Sequence, residues 1–261
     1  MNITSLSPSM VNKYRQCPRQ FYYDYCLKLP RQGNAYTAFG SSFHRMAEEN
    51  FWQKRTTRKD LPLDLLTDFF AADLEWADDV DWKEQSESLD DMKDQGVVTV
   101  KAYQENVAPG IQPQVVEHVN SMAINNRPWL ISWKIDLVTD DDLVIDLKTG
   151  KVPGKPRDGS PRKPKATDAF QVSTYAMGWK AETGRPNVKG RLDFAPRGKS
   201  ETVSVDVALE DAQSIVSTFD DVAMSIQKEW WPVFRNHYLC SRKYCQHWLE
   251  CEKDCGGEVK P

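Results

Sequence analysis

The chain has 261 residues, of which 40% are hydrophobic and 28% charged, and its formal net charge is −4. These values are typical of a globular protein with a full core, and they exclude a disordered chain or a strongly basic protein that coats nucleic acid. No hydrophobic run reaches the roughly 18 residues that span a bilayer. The first residues lack a basic segment followed by an apolar one, so we expect no secretory leader and a cytoplasmic protein.

Charge is distributed unevenly along the chain. Residues 59–94 carry thirteen acids and three bases, whereas residues 151–199 carry twelve bases and four acids. A local basic stretch can follow a phosphate backbone even when the whole chain is slightly acidic. Two solvated faces of opposite sign would explain the same pattern equally well.

The first part of the chain has helical patterns. Ser7 followed by Pro8 predicts the start of a capped helix with an aromatic face, and Gly40-Ser41-Ser42 predicts the lead into a second helix. Residues 63–107 are predicted to be helical, with apolar side chains set among acids. The part of this stretch that ends at Gly96 is poor in apolar residues, so we expect it to form a mobile helical lobe.

The pattern changes to strands after residue 115. Residues 129–138 are rich in β-branched and aromatic side chains, and residues 143–149 follow a turn at 140–142, which predicts a β-hairpin. A basic, Pro- and Gly-rich loop is predicted at 151–166.

The remaining elements complete the predicted sheet. Asp168 can cap the next helix, a second hairpin is predicted within 188–208, and a helix is predicted over roughly 209–229. This order predicts an α/β (α+β) fold with a central mixed sheet flanked by helices.

The first hairpin carries the residues with the clearest chemistry. Asp146 and Lys148 are two apart on a strand, so their side chains share a face. A turn centred on Asp141 would place Asp136 opposite Asp146. Two such carboxylates suit Mg²⁺, which lowers the pKa of a bound water. Lys148 could hold or deprotonate that water, provided that its own pKa is lowered. Taken alone, however, Asp-x-Lys is more often a surface ion pair.

Four segments resemble one nuclease family. Residues 135–138 and 144–151 resemble motifs II and III of RecB-type PD-(D/E)xK nucleases. The segment from Gly40 to His44 resembles the family's first motif, and Gln171-x-x-x-Tyr175 resembles the fourth. Without this resemblance, His44 would be read as an ordinary helix residue and Tyr175 equally well as a core aromatic.

The resemblance implies a metal-dependent DNA nuclease with a restriction-endonuclease-like core, and exonuclease action is favoured. It implies Mg²⁺ or Mn²⁺ as cofactor, Lys148 and Gln171 around the attacking water, and Tyr175 in contact with DNA. The metal ligands that it implies are His44, Asp136, Asp146, the backbone carbonyl of Leu147 and, with least support, Glu117. Six basic residues are candidate DNA contacts: Lys151, Lys155, Arg157, Arg162, Lys163 and Lys165.

Cysteines occur near both ends of the chain. Four of the six cysteines lie within the last 22 residues, which in a reducing compartment predicts metal ligation rather than disulfides. The pattern resembles iron–sulfur members of the same family, such as the AddB nuclease domain and the CRISPR adaptation exonucleases. It implies a [4Fe–4S] cluster on Cys17, Cys240, Cys245 and Cys251. Four residues separate the second and third cysteines, whereas many members have two between them. Cys255 or Cys26 could therefore replace one ligand, and Zn²⁺ could replace the cluster.

The resemblance covers most of the chain, from Ser7 to Cys251, except for residues 55–115. We expect residues 1–261 to form a single nuclease domain, with a helical lobe at 55–115, a catalytic core at 115–208 and an iron–sulfur tail at 236–255 paired with Cys17. The expected partners are single-stranded DNA or duplex ends, together with a helicase or recombinase, in a phage or a compact repair or recombination system. The alternatives are a catalytically silent DNA-binding or assembly subunit and a zinc-stabilised scaffold. The oligomeric state stays open.

Overall fold

The structure is a computed structural model that describes residues 4–30, 33–235, 239–242 and 244–256. Its helices are α1 Pro8–Gln16, α2 Pro18–Phe21, α3 Ala35–Thr57, α4 Leu63–Glu75, α5 Leu89–Asn106, α6 Ala166–Thr183, α7 Ala212–Gln227 and α8 Trp248–Cys255. Its strands are β1 Ser5–Leu6, β2 Pro113–Ala123, β3 Leu130–Thr139, β4 Leu143–Lys148, β5 Lys189–Phe194 and β6 Val203–Val207. A π-helical turn, Tyr22–Cys26, follows α2, and a 3-10 turn, Ala108–Gly110, follows α5.

Two compact units share these elements. The terminal unit comprises residues 1–32, 121–132 and 212–261, and the central unit comprises residues 33–120 and 133–211. Among the described residues, no helix is both long and apolar enough to cross a membrane.

The central unit contains most of a mixed sheet. β3, β4, β5 and β6 are neighbours in that order, with antiparallel, parallel and antiparallel pairing, and β2 also pairs with β3. In the terminal unit, β1 runs parallel to Leu130 and Ile131, the first residues of β3. The predicted α/β fold class and both predicted hairpins are confirmed.

The first hairpin has the predicted register. Leu137 pairs with Ile145, and Val138 pairs with Val144. Continuing this antiparallel register by one residue places Asp136 opposite Asp146. The two carboxylates therefore share a face of the sheet, as the turn centred on Asp141 predicts.

Helices cover both faces of the sheet in the central unit. On one face, α3, α4 and α5 enclose a core that includes Leu137, Ile145 and Leu147. On the other face, α6 contributes Val172 to a cluster with Leu192 and two residues of β6. Asp146 is paired with Leu192 in the parallel ladder. It therefore points toward the α6 side of the sheet, because directly paired residues share a face.

The expectation that the helical lobe is poor in core residues was wrong. Leu66, Phe70 and Leu74, spaced by four residues along α4, are all 0% exposed and belong to the same core as the α3 aromatics. At Gly96 of α5, an added Cβ would lie 1.9 Å from the Phe70 ring, so only glycine allows this helix contact. The acids of this region are exposed or half-buried, and the average composition hid an apolar stripe.

Three helix boundaries differ from the predicted ones. α3 begins before Gly40, because the Asn34 side chain accepts hydrogen bonds from the amides of Tyr36 and Thr37 and caps the helix there. α6 begins at Ala166, so Asp168 lies in its first turn, where its charge favours the helix N-terminus. Residues 76–88 interrupt the helix predicted over 63–107.

Candidate functional site

The end of β4 meets one face of α6. The Lys148 Nζ lies 2.8 Å from Asp146 Oδ2, and Asp146 is only 2% exposed. From α6, the Gln171 Nε2 donates to Asp146 Oδ1 at 2.9 Å, and Gln171 Oε1 accepts from the Lys148 Nζ at 3.5 Å. The hydroxyl of Tyr175, one turn further along, accepts from the same Nε2 at 2.8 Å. The structure thus brings together the four residues predicted on β4 and α6.

A second group, on α3, β2 and β3, lies beside this one. One ligand atom each from His44, Glu117 and Asp136 can be chosen so that all three lie within 4.8 Å of one another. His44 Nδ1 is 3.5 Å from Asp136 Oδ2, which also accepts a hydrogen bond from the Leu147 amide at 2.8 Å. Two carboxylates and an imidazole form a donor set that suits Mn²⁺ or Mg²⁺ completed by water. These residues fit the predicted cation.

The position of Asp146 differs from that of the other predicted ligands. It lies across the hairpin from Asp136, but its carboxylate contacts Lys148 and Gln171, and it is outside the group of three. The Leu147 amide holds Asp136, whereas ligation by the Leu147 carbonyl stays a prediction.

Glu117 occupies an unusual backbone position. Its φ is +51°, in the left-handed region, although it lies in the middle of β2. Such a conformation costs a non-glycine residue about 1–3 kcal/mol and often aims a side chain at a functional site. Its carboxylate pairs with the Lys134 ammonium. Lys134 did not feature in the sequence prediction, although its spacing of two from Asp136 on β3 could have indicated it.

The two aspartates of the hairpin differ in charge state. Burial raises the pKa of Asp146 to about 6; Lys148 opposes this rise, and Asp136 adds to it. Burial also acts to raise the pKa of Asp136, but His44, the Leu147 amide and Lys148 outweigh it, so that pKa is lowered. Asp136 therefore holds its charge firmly, whereas ionising Asp146 costs energy that a cation would recover.

The pKa values of both basic members of the site are raised in the metal-free protein. Burial acts to lower the pKa of His44, but its hydrogen bond and charge interaction with Asp136 outweigh burial and raise it. For Lys148 burial again acts to lower the pKa, and the adjacent Asp146 carboxylate raises it above the ordinary value. Of the two roles expected for Lys148, these contacts favour that of a charged donor over that of a base.

The burial of Asp146 predicts a pH-dependent stability. In the folded protein the pKa of Asp146 is about 6, above the ordinary value of 3.8. The contribution of Asp146 to the free energy of unfolding is therefore fully present below pH ~4 and is lost as pH rises through ~6. We expect the Asp146→Asn variant, which cannot ionise there, to gain stability relative to wild type across this window and to keep the gain above it. Urea unfolding in EDTA at a series of pH values measures the difference; a flat or falling difference would contradict the assignment.

The predicted DNA contacts lie on the loop between β4 and α6. Lys151, Lys155, Arg157, Lys163 and Lys165 are exposed. The sixth, Arg162, is half-buried, and it donates to the Pro153 carbonyl at 2.7 Å. Tyr175 is only 7% exposed, so its contact in this structure is to Gln171 and it lies under the site rather than on its surface.

In the terminal unit, the four predicted cluster cysteines line one cavity. Cys17, between α1 and α2, meets Cys240, Cys245 and Cys251, and the rest of the wall includes Tyr23 and Trp248. All six cysteines are free thiols. Cys255 lies one turn beyond Cys251 on α8, and Cys26 lies in the π-helical turn; neither lines the cavity. Residues 236–238 and 243 of the predicted tail lie outside the described residues.

The thiols of this cavity destabilise one another's charged form. Burial raises the pKa of Cys251 to about 12, and the other cysteines raise it further. Burial first, and then the neighbouring thiols, also raise the pKa of Cys240 and of Cys245, although for Cys245 hydrogen bonds from His247 and Gln20 lower it in part. Four converging sulfurs in a largely apolar wall fit a soft metal centre, iron–sulfur or zinc, whose positive charge would stabilise the thiolates.

The mixed sheet has helices on both faces, and its adjacent strands carry two acids and a lysine. Together these features define a restriction-endonuclease-like fold. The family model of the PD-(D/E)XK nuclease superfamily matches residues 5–252. The chain belongs to that superfamily. No curated protein is significantly similar to it in sequence.

Solved structures that are similar to the chain include a candidate exonuclease and SSO0001. A candidate exonuclease from Eubacterium rectale has 11% identity and a TM-score of 0.54, and the match covers 86% of this chain and 79% of that one. SSO0001 has 15% identity and a TM-score of 0.43, with 100% of this chain and 90% of that one covered. At these identities, the Eubacterium rectale structure supports the fold alone.

Proposed function

We propose that the protein is a metal-dependent DNA exonuclease that hydrolyses phosphodiester bonds at the face shared by β3, β4 and α6. The observation that carries this proposal is that two groups of functional side chains lie next to each other in the central unit. The group of His44, Glu117 and Asp136 offers the ligands, and Asp146, Lys148 and Gln171 stand beside it in mutual contact. A scaffold protein has no need of three neighbouring carboxylates, of which Asp146 is buried and Glu117 and Asp136 are half-buried.

Each residue has a role that its contacts support. His44, Glu117 and Asp136 would hold a divalent cation, with Asp146 recruited across the hairpin. When bound, such a cation lowers the pKa of a water and neutralises charge on the scissile phosphate. Lys148 Nζ, kept protonated by Asp146, donates to the attacking water or to a phosphate oxygen as negative charge develops. Gln171 contacts both Asp146 and Lys148, and it therefore fixes the separation of the Asp146 carboxylate from the Lys148 ammonium.

The cysteine cavity supports a second, structural part of the proposal. Cys17, Cys240, Cys245 and Cys251 hold a [4Fe–4S] cluster that joins the beginning of the chain to its end within the terminal unit. Metal binding to such a site stabilises the folded state directly. A DNA repair or recombination role, a helicase or recombinase partner and a cytoplasmic location remain predictions from the sequence.

Exonuclease action is tested by the topology of the substrate. We expect linear single-stranded DNA to be degraded at least about 100-fold faster than a covalently closed circle of the same sequence, because an exonuclease needs a free end. Both are incubated with Mn²⁺ or Mg²⁺ and followed by gel electrophoresis. Equal rates on both would show an endonuclease, while the metal-dependent chemistry would stand.

A further inference from the structure

A groove in the central unit adjoins the end of β4, the strand that carries Asp146 and Lys148. Its wall includes Tyr36, Thr149, Lys151, Arg197 and Lys199. Lys151 and Lys199 are exposed and have no ion-pair partner among the described residues. Thr149 directly follows Lys148 on the chain, so the groove begins where the proposed reaction centre ends. Its volume of about 1340 Å³, which includes open solvent, is large enough for more than one nucleotide.

Tyr36 presents an aromatic ring in this groove. The side chain is 54% exposed although it begins a helix whose next aromatic, Phe39, is buried. One face of the ring is covered by the Arg197 guanidinium, whose central carbon is 4.4 Å from the ring centroid. Arg197 is itself anchored by an ion pair with Glu87. The ring is therefore held in place on one side and open on the other.

The backbone fixes this ring relative to the reaction centre. The Ala195 amide donates to the Lys148 carbonyl at 2.8 Å, and the Arg197 amide donates to the Thr149 carbonyl at 3.2 Å. On the helix side, a Cβ at Gly40 would lie 3.4 Å from Thr149 Oγ1, so α3 approaches the same strand end closely. Tyr36 precedes His44 by eight residues of α3, or roughly 12 Å along the axis. The spacing is on the scale of a few nucleotides.

We propose that this groove binds the unpaired end of a DNA strand, with a nucleobase stacked on the open face of Tyr36. Lys151 and Lys199 contact the phosphates on either side of that base. Stacking on an aromatic ring beside basic side chains is the usual means of holding a single strand without reading its sequence. A duplex would have to unpair its end to use this platform. The inference deepens the proposed nuclease function and depends on it for the identity of the ligand.

Binding without cleavage tests the platform separately from the chemistry. In an Asp146→Ala background, fluorescence anisotropy compares a labelled dT12 strand with a strand of equal length made of abasic units. We expect Tyr36→Ala and Tyr36→Leu to weaken dT12 binding by about 5- to 100-fold, and Tyr36→Phe to stay within about twofold. Binding of the abasic strand should be the same in all of these variants.

Trp52 provides a matched control on the same helix. It is 45% exposed and is also covered by an arginine, with the Arg55 carbon 5.4 Å from its ring centroid, but it does not line the groove. Trp52→Ala should leave dT12 binding unchanged.

Three results would overturn the proposal. They are unchanged dT12 binding in Tyr36→Ala, an equal loss on the abasic strand, and a loss in Tyr36→Phe as large as that in Tyr36→Ala. If the wild-type protein still cleaves DNA in a metal-dependent manner, only the groove assignment fails. A wild-type protein that neither binds nor cleaves DNA would overturn the nuclease proposal as well.

Discussion

Asp146→Ala is expected to lower the rate of metal-dependent DNA cleavage by at least about a thousandfold, which corresponds to about 4 kcal/mol of activation free energy. Asp146 is the carboxylate that orders the site, because it contacts Lys148 at 2.8 Å and Gln171 at 2.9 Å and lies opposite Asp136. Without it, the ammonium loses its partner and the cation loses a ligand. Initial rates on an end-labelled single strand measure the loss.

The control separates loss of chemistry from loss of fold. Asp206 is an exposed carboxylate on β6 of the same sheet, and Asp206→Ala should cleave at the wild-type rate. Because ionised Asp146 destabilises the metal-free protein above its pKa of about 6, Asp146→Ala should unfold at no lower urea concentration than wild type at pH 8. Normal cleavage by Asp146→Ala would show that the site is assigned to the wrong residues.

Cys17→Ser is expected to remove the metal centre of the terminal unit. The four cysteines of that cavity come from two distant parts of the chain, so losing one thiolate opens a cross-link whose binding energy stabilises the fold. We expect iron and sulfide to fall to background after anaerobic purification, and the melting temperature to drop by at least about 10 °C. The brown colour and the soluble yield should fall as well.

Cys26 is the matched control for this substitution. It is a free thiol near Cys17 in sequence, burial raises its pKa to about 11, and it does not line the cavity. Cys26→Ser should therefore retain the full iron content. If the wild-type protein contains zinc without iron, the same ligands hold a zinc ion instead of the cluster. If the iron content is unchanged in Cys17→Ser, Cys17 is not a ligand.

The parts of the site that could be predicted depend on spacing within one element or across one tight turn. The separation of Asp146 from Lys148 by two residues fixes a shared strand face, and a turn centred on Asp141 fixes the pairing with Asp136. Likewise, the four-residue step from Gln171 to Tyr175 fixes one helix face. These relations hold in any fold that contains the hairpin and the helix.

The parts that local spacing could not predict depend on long-range packing. Glu117 was expected from the resemblance alone, because it reaches the ligand group through the pairing of β2 with β3 and a left-handed φ that glutamate rarely adopts. Tyr36 and Arg197 are far apart in the sequence but in contact in the fold, and no local pattern indicates the groove that they line. The expectation that the helical lobe is poor in core residues was wrong for a related reason. Its acids dominate the composition, while Leu66, Phe70 and Leu74 form a buried stripe that supports α3.

A cleavage assay with wild-type protein beside Lys148→Ala tests whether the protein is a metal-dependent nuclease. Anaerobically purified protein is incubated with end-labelled single- and double-stranded DNA in Mg²⁺, Mn²⁺ or EDTA. We expect loss of DNA in Mg²⁺ or Mn²⁺, none in EDTA, and none above background in Lys148→Ala, which keeps the acids but lacks the ammonium. Binding of DNA without cleavage under every condition would contradict this expectation and would identify a DNA-binding or assembly subunit with a nuclease fold.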